Sequence, residues 1–107
     1  MGSVSILDLD GRMTRNDGYG SVKKQVGSLL ADGHRGLLLN LSDVPYMDST
    51  SVGELVSAFI TVRNNDGVLK LVGPTERIRE LLSVAKLDTV FEVYDNEADA
   101  VQSFSSP

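Results

Sequence analysis

The sequence predicts an α/β domain, a mainly parallel sheet of about four strands alternating with four helices. Three observations carry that prediction. Short apolar runs of strand length alternate with longer stretches whose apolar residues recur at three- and four-residue steps. The run Leu37-Leu38-Leu39-Asn40-Leu41 is almost continuously apolar, and because successive strand residues point to opposite faces it needs cover on both sides. A chain of 107 residues, 41% hydrophobic and 23% charged, suffices for one core and is too short for two. Residues 1–107 therefore read as a single domain, with its core between about residues 4 and 104.

From the N-terminus, Val4, Ile6, Leu7 and Leu9 read as a strand that stops at the turn signal Asp10-Gly11. Tyr19, Val22, Val26, Leu29 and Leu30 share one helical face, and Gly33 suits a left-handed helix stop. Leu37 to Leu41 is the central strand. Val52, Leu55, Val56, Phe59 and Ile60 trace a second helical stripe that closes at Asn64-Asn65-Asp66-Gly67, and Val68 to Val72 is the next strand. Pro74-Thr75-Glu76 suits the start of a third helix with Ile78, Leu81, Leu82 and Ala85 on its inner face. Val90 to Val93 reads as the last strand, and Ala98, Val101 and Phe104 as the last helix, capped from Asp95 or Asn96.

Composition narrows the chemistry. The absence of cysteine removes disulfides, thiolate nucleophiles and thiolate metal sites, and the single histidine, His34, removes a His-rich cluster. No metal and no cofactor is expected. A formal net charge of -5 repels phosphate backbones, so nucleic acid and anionic membranes are not expected partners, and Lys23-Lys24 reads as a solvated helix face. No run of about 18 apolar residues is present, and Met1-Gly2-Ser3 lacks the blocks of a secretory signal, which makes a cytoplasmic location the expectation.

Candidate catalytic groups are few. His34 lies in a helix-to-strand turn with no serine or acid placed near it by sequence, so it reads as a surface turn residue. Asp8, Asp10 and Asp17 lack the glycine and terminal glutamate of a calcium loop. Gly18-Tyr19-Gly20 lacks the third glycine of a dinucleotide fingerprint. Tyr46 and Met47, beside a buried strand, read as core. An enzyme is not expected.

Parallel sheets place their sites beyond the carboxyl ends of their strands, so the loop after Leu41 is the first place to look for function. There Val44-Pro45-Tyr46-Met47-Asp48-Ser49-Thr50-Ser51-Val52-Gly53 delivers three consecutive hydroxyl residues to a helix start, where backbone N–H groups lack partners. These residues admit two readings. One is capping: Asp48, Ser49 and Thr50 are all good caps, and Ser51-Val52-Gly53-Glu54 fits the capping-box spacing. The other is a site that presents a hydroxyl to a partner.

The same stretch, lying between an apolar strand and an apolar helix, resembles the signature of the STAS-domain family, in particular its bacterial anti-sigma-factor antagonists. Asp48, Ser49, Thr50, Val52 and Gly53 agree with the family pattern, as do Tyr46 and Met47 before them and Gly11 after the first strand. Ser51 stands where the family usually has glycine, and Arg12 and Thr14 replace residues that are often acidic.

The resemblance implies a partner switch. The unmodified domain binds an anti-sigma factor that is also a serine kinase, phosphorylation of Ser49 ends that binding, and a metal-dependent serine/threonine phosphatase restores it. Asp48, Ser49, Thr50 and Ser51 would then form the contact surface, with Glu54 and Ser57 added as exposed residues of the second helix. The alternative from the same resemblance is a constitutive accessory subunit that docks on a membrane transporter ATPase, with Ser49 as a contact and not a modification site.

Overall fold

A computed structural model describes residues 4–10 and 21–105. Gly11, Arg12, Thr14, Asp17 and the Gly18-Tyr19-Gly20 stretch, Tyr19 of the first helical stripe included, lie outside the described residues, as do Met1-Gly2-Ser3. The elements run β1 (Val4–Asp10), α1 (Ser21–Ala31), β2 (Gly36–Asp43), α2 (Ser49–Asn64), β3 (Val68–Val72), α3 (Glu76–Val84), β4 (Val93–Tyr94) and α4 (Glu97–Ser103). The four strands form one sheet in the order β1-β2-β3-β4, and each neighbouring pair is parallel. The predicted α/β class holds.

β2 is the central strand that its apolar run requires. Leu37, Leu39 and Leu41 point into the main core with Val22 and Val26 of α1, Leu55 and Val62 of α2, and Ile78 and Leu82 of α3. Leu38 points the other way, into a smaller cluster with Val72 and Ala100 that Val101 and Phe104 help to cover. Three helices thus clad one face and α4 clads the other. Burying each such leucine contributes roughly 1.5–3 kcal/mol, so the larger face supplies most of the stabilisation. Ile6 pairs with Leu38 in register and so shares α4's face, but it is 38% exposed at the border of the sheet.

Local chemistry sets the helix ends. Thr75 caps α3 by accepting from Ile78 N, and Asn96 caps α4 by accepting from Asp99 N at 2.9 Å. Gly33 closes the α1–β2 turn at φ 93°, a conformation that L side chains rarely adopt.

Three expectations need correction. Ala85 is not on the inner face of α3 but is its exposed C-cap, since the helix ends at Val84. The last strand is Val93–Tyr94, not Val90 to Val93. Lys86 takes φ 61°, Val90 N and Phe91 N both donate to Leu87 O, and this coil turns Phe91 into the core, where it meets Phe59 edge-to-face at 5.2 Å between ring centroids. Pairing with β3 begins only where Leu71 meets Val93. In α2 the inward residues are Ser51, Val52, Glu54, Leu55, Ala58 and Val62, while Ile60 is 49% exposed. The helix is rotated from its most apolar stripe because small Ala58 and Ser51 face inward and α2 packs closely on α1.

Candidate functional site

The chain leaves β2 through Val44, which is fully buried, and Pro45, which is exposed, and reaches Asp48 in an extended conformation with φ -95° and ψ 175°. That geometry belongs to a helix N-cap. The Asp48 carboxylate accepts from Ser51 N at 2.9 Å, and the Asp48 carbonyl accepts the first helical bond from Val52 N at 3.0 Å. Of the candidate caps, Asp48 holds the position. Ser51 is not the first residue of a capping box, because it already lies inside the helix.

This start sorts the three hydroxyl residues. Ser49, at the first helical position, is exposed; Thr50 is half-buried; Ser51 is 1% exposed. The Ser51 hydroxyl has no hydrogen-bond partner among the described residues. A hydroxyl open to an outside molecule is therefore found at Ser49, and the one at Ser51 is sealed in the domain.

Glu54 is not on the exposed face. It is 6% exposed, and its Oε2 accepts from Lys23 N at 3.1 Å, so it turns inward to serve the first turn of α1. A carboxylate there satisfies an otherwise unpaired N–H and complements the helix dipole, which explains why a charged residue replaces an apolar one. Ser57 is half-buried.

Beside Ser49 a groove of about 450 Å³ runs between the α2 start and α3, lined by Tyr46, Met47, Asp48 and Ser49 on one side and by Arg77, Leu81 and Val84 among others on the second. Met47 is buried core as expected, but Tyr46 is half-buried on the groove wall, with the Arg77 guanidinium 5.1 Å above its ring centroid. Sequence reasoning missed the α3 side of this groove. The apolar Val84, 78% exposed, is its most visible trace in the sequence pattern.

His34 differs from its reading as well. It is half-buried, and parallel pairing of β1 with β2 brings Ser5 Oγ to 2.8 Å from its Nδ1. No carboxylate lies within ion-pair distance of it among the described residues. Among the described residues no group of three or more His, Cys, Asp or Glu side chains is placed to hold a metal ion. Among them, too, no helix is long and apolar enough to cross a membrane.

Known proteins resemble this chain in sequence and in fold. The STAS domain profile matches residues 2–100. The chain is 37% identical over 73 residues to the TM1081 homologue of Thermotoga neapolitana, an alignment spanning 68% of this chain and 65% of that protein. It is 35% identical over 71 residues to the anti-sigma-B factor antagonist of Staphylococcus aureus, spanning 66% of this chain and 64% of that protein. The matched region is thus slightly under two thirds of the length of these relatives. The crystal structure of TM1081 from Thermotoga maritima superposes with a TM-score of 0.88 at 27% identity, covering 96% of this chain and 88% of that one. This chain belongs to the STAS domain family.

Proposed function

We propose that this STAS domain is an anti-sigma-factor antagonist whose binding is switched by phosphorylation of Ser49. Family membership and a relative that carries the name anti-sigma-B factor antagonist support the general role. The observation that carries the switch is the exposure of Ser49 at the first position of α2, directly after the capping Asp48, while Ser51 is buried. On this reading the chain binds an anti-sigma factor that is also a serine kinase, is itself substrate and not enzyme, and is reset by a serine/threonine phosphatase in the cytoplasm.

The physics favours a change of interface over a change of fold. A phosphate adds about -1.5 to -2 charges at pH 7, and negative charge in the first turn of a helix is stabilising by about 0.3–1 kcal/mol. The domain keeps its structure. A partner surface complementary to a neutral hydroxyl instead meets new charge beside Asp48, and such like-charge juxtaposition costs several kcal/mol. A penalty of about 4 kcal/mol weakens binding roughly a thousandfold.

The test compares Ser49→Ala with Ser49→Asp against the kinase partner, together with phosphosite mapping of protein taken from cells. Full binding by the alanine variant, a loss of about tenfold or more by the aspartate variant, a cooperatively folded domain in both, and phosphate on Ser49 are expected. Equal binding, or phosphate only elsewhere, overturns the proposal. Copurification with a transporter ATPase and no phosphate in cells would establish the accessory-subunit role instead.

A further inference from the structure

We propose that Arg77 is the cation that receives the phosphate on Ser49, so that the modified domain fills its own groove. The inference rests on Ser49 being the phosphoacceptor and adds the intramolecular device that ends binding.

Three observations carry it. Ser49 and Arg77 line one groove of about 450 Å³, from α2 and α3 respectively. The Tyr46 ring lies 5.1 Å from the Arg77 guanidinium, which holds the cation at the groove wall by one face and leaves its N–H groups free for an anion. Arg77 has no ion-pair partner among the described residues, whereas Arg79 on the same helix pairs with Asp95 and Lys70 pairs with Glu92.

The remaining charges in the groove sharpen the assignment. Asp48 and Glu80 also line it, and both repel a phosphate. Among the described residues Arg77 is the lining residue that attracts one, and its planar fork fits phosphate oxygens in a bidentate pair. Such a pair stands over the apolar wall of Met47, Leu81 and Val84 and withholds that wall from a partner. The guanidinium is withheld with it. Phosphorylation thus removes a docking surface as well as adding charge.

The test installs phosphoserine at position 49 during translation, so that no kinase is needed, and follows the phosphorus resonance against pH at about 0.15 M salt. The second ionisation of phosphoserine lies ordinarily at about pH 6. A nearby opposite charge lowers it, so the wild-type phosphate is expected to titrate about half a unit or more below that of Arg77→Gln. Arg79→Gln removes the same charge from the same helix outside the groove and leaves the wild-type titration in place. Identical titrations for wild type and Arg77→Gln, or an equal shift in Arg79→Gln, overturn the inference. Phosphate mapped elsewhere in cells overturns the reading of Ser49 and leaves this titration as it is, so the two failures are distinct.

Discussion

The Glu54 carboxylate accepts a hydrogen bond from Lys23 N at 3.1 Å, so α2 caps α1 across the helix–helix contact. Loss of a cap costs about 0.5–2 kcal/mol. Glu54→Ala is expected to lose about 1–2 kcal/mol in urea unfolding, and Glu54→Gln, which keeps an acceptor, to lose less. A solvated surface residue would change stability by no more than about 0.5 kcal/mol, and a value in that range would remove Glu54 from this role.

Ser51 presents the opposite case. Its hydroxyl is buried without a partner among the described residues, and an unsatisfied buried polar group costs about 1–3 kcal/mol. Ser51→Ala removes that cost and is a better helix former, so it is expected to gain about 1 kcal/mol, or roughly 4–8 °C in Tm for a domain of this size. A scanning calorimetry trace at or below the wild-type midpoint would contradict the unsatisfied hydroxyl.

Two glycines are expected to respond to alanine with opposite signs. A Cβ on Gly53, in the second turn of α2, meets nothing within 4 Å, so Gly53→Ala gains about 1 kcal/mol from helix propensity. A Cβ on Gly67 falls 2.7 Å from Arg35 O and 2.8 Å from Val62 Cγ1, closer than atoms pack. Gly67→Ala must shift backbone and is expected to lose about 1–3 kcal/mol, read from the same denaturation series.

Glu92 sets an acid response. The Tyr94 hydroxyl, donating at 2.8 Å, and the Lys70 ammonium at 3.3 Å hold its carboxyl below the ordinary carboxylate value of 4.5. A folded-state pKa below the unfolded one contributes stability that is present above the unfolded value and is lost as pH falls through the folded one. Tm is therefore expected to fall less steeply with acidification below about pH 4.5 in Glu92→Gln than in wild type, with a modest difference because the carboxylate is largely exposed. Parallel Tm curves for the two proteins across that window would rule the contribution out.

Much of this molecule was legible because its signals are local. Leu37 to Leu41 identified the central strand without reference to any neighbour, and Pro74-Thr75-Glu76 and Asp95-Asn96 marked the starts of the helices that Thr75 and Asn96 cap. Asp48 and Ser49 were legible as a motif, although residue types alone did not say which hydroxyl would stay outside. The misread features depend on partners distant in sequence. Glu54 turned inward for an amide 31 residues away, Phe91 left its expected strand to meet Phe59, and Arg77 reached the groove from a different helix. Periodicity ranks side chains by apolarity, so it could not foresee that Ala58 and Ser51 would face inward while Ile60 stayed outside.

The strands run parallel and follow one another in chain order, so the connections after β2 and β3 emerge at a common rim. Its groove is lined by stretches as far apart as Tyr46 and Val84, where exposed Ser49, Arg77 and Glu80 stand beside Met47 and Ile78 of the core. Evolution can exchange the recognised molecule by editing a handful of rim positions while the scaffold is inherited intact.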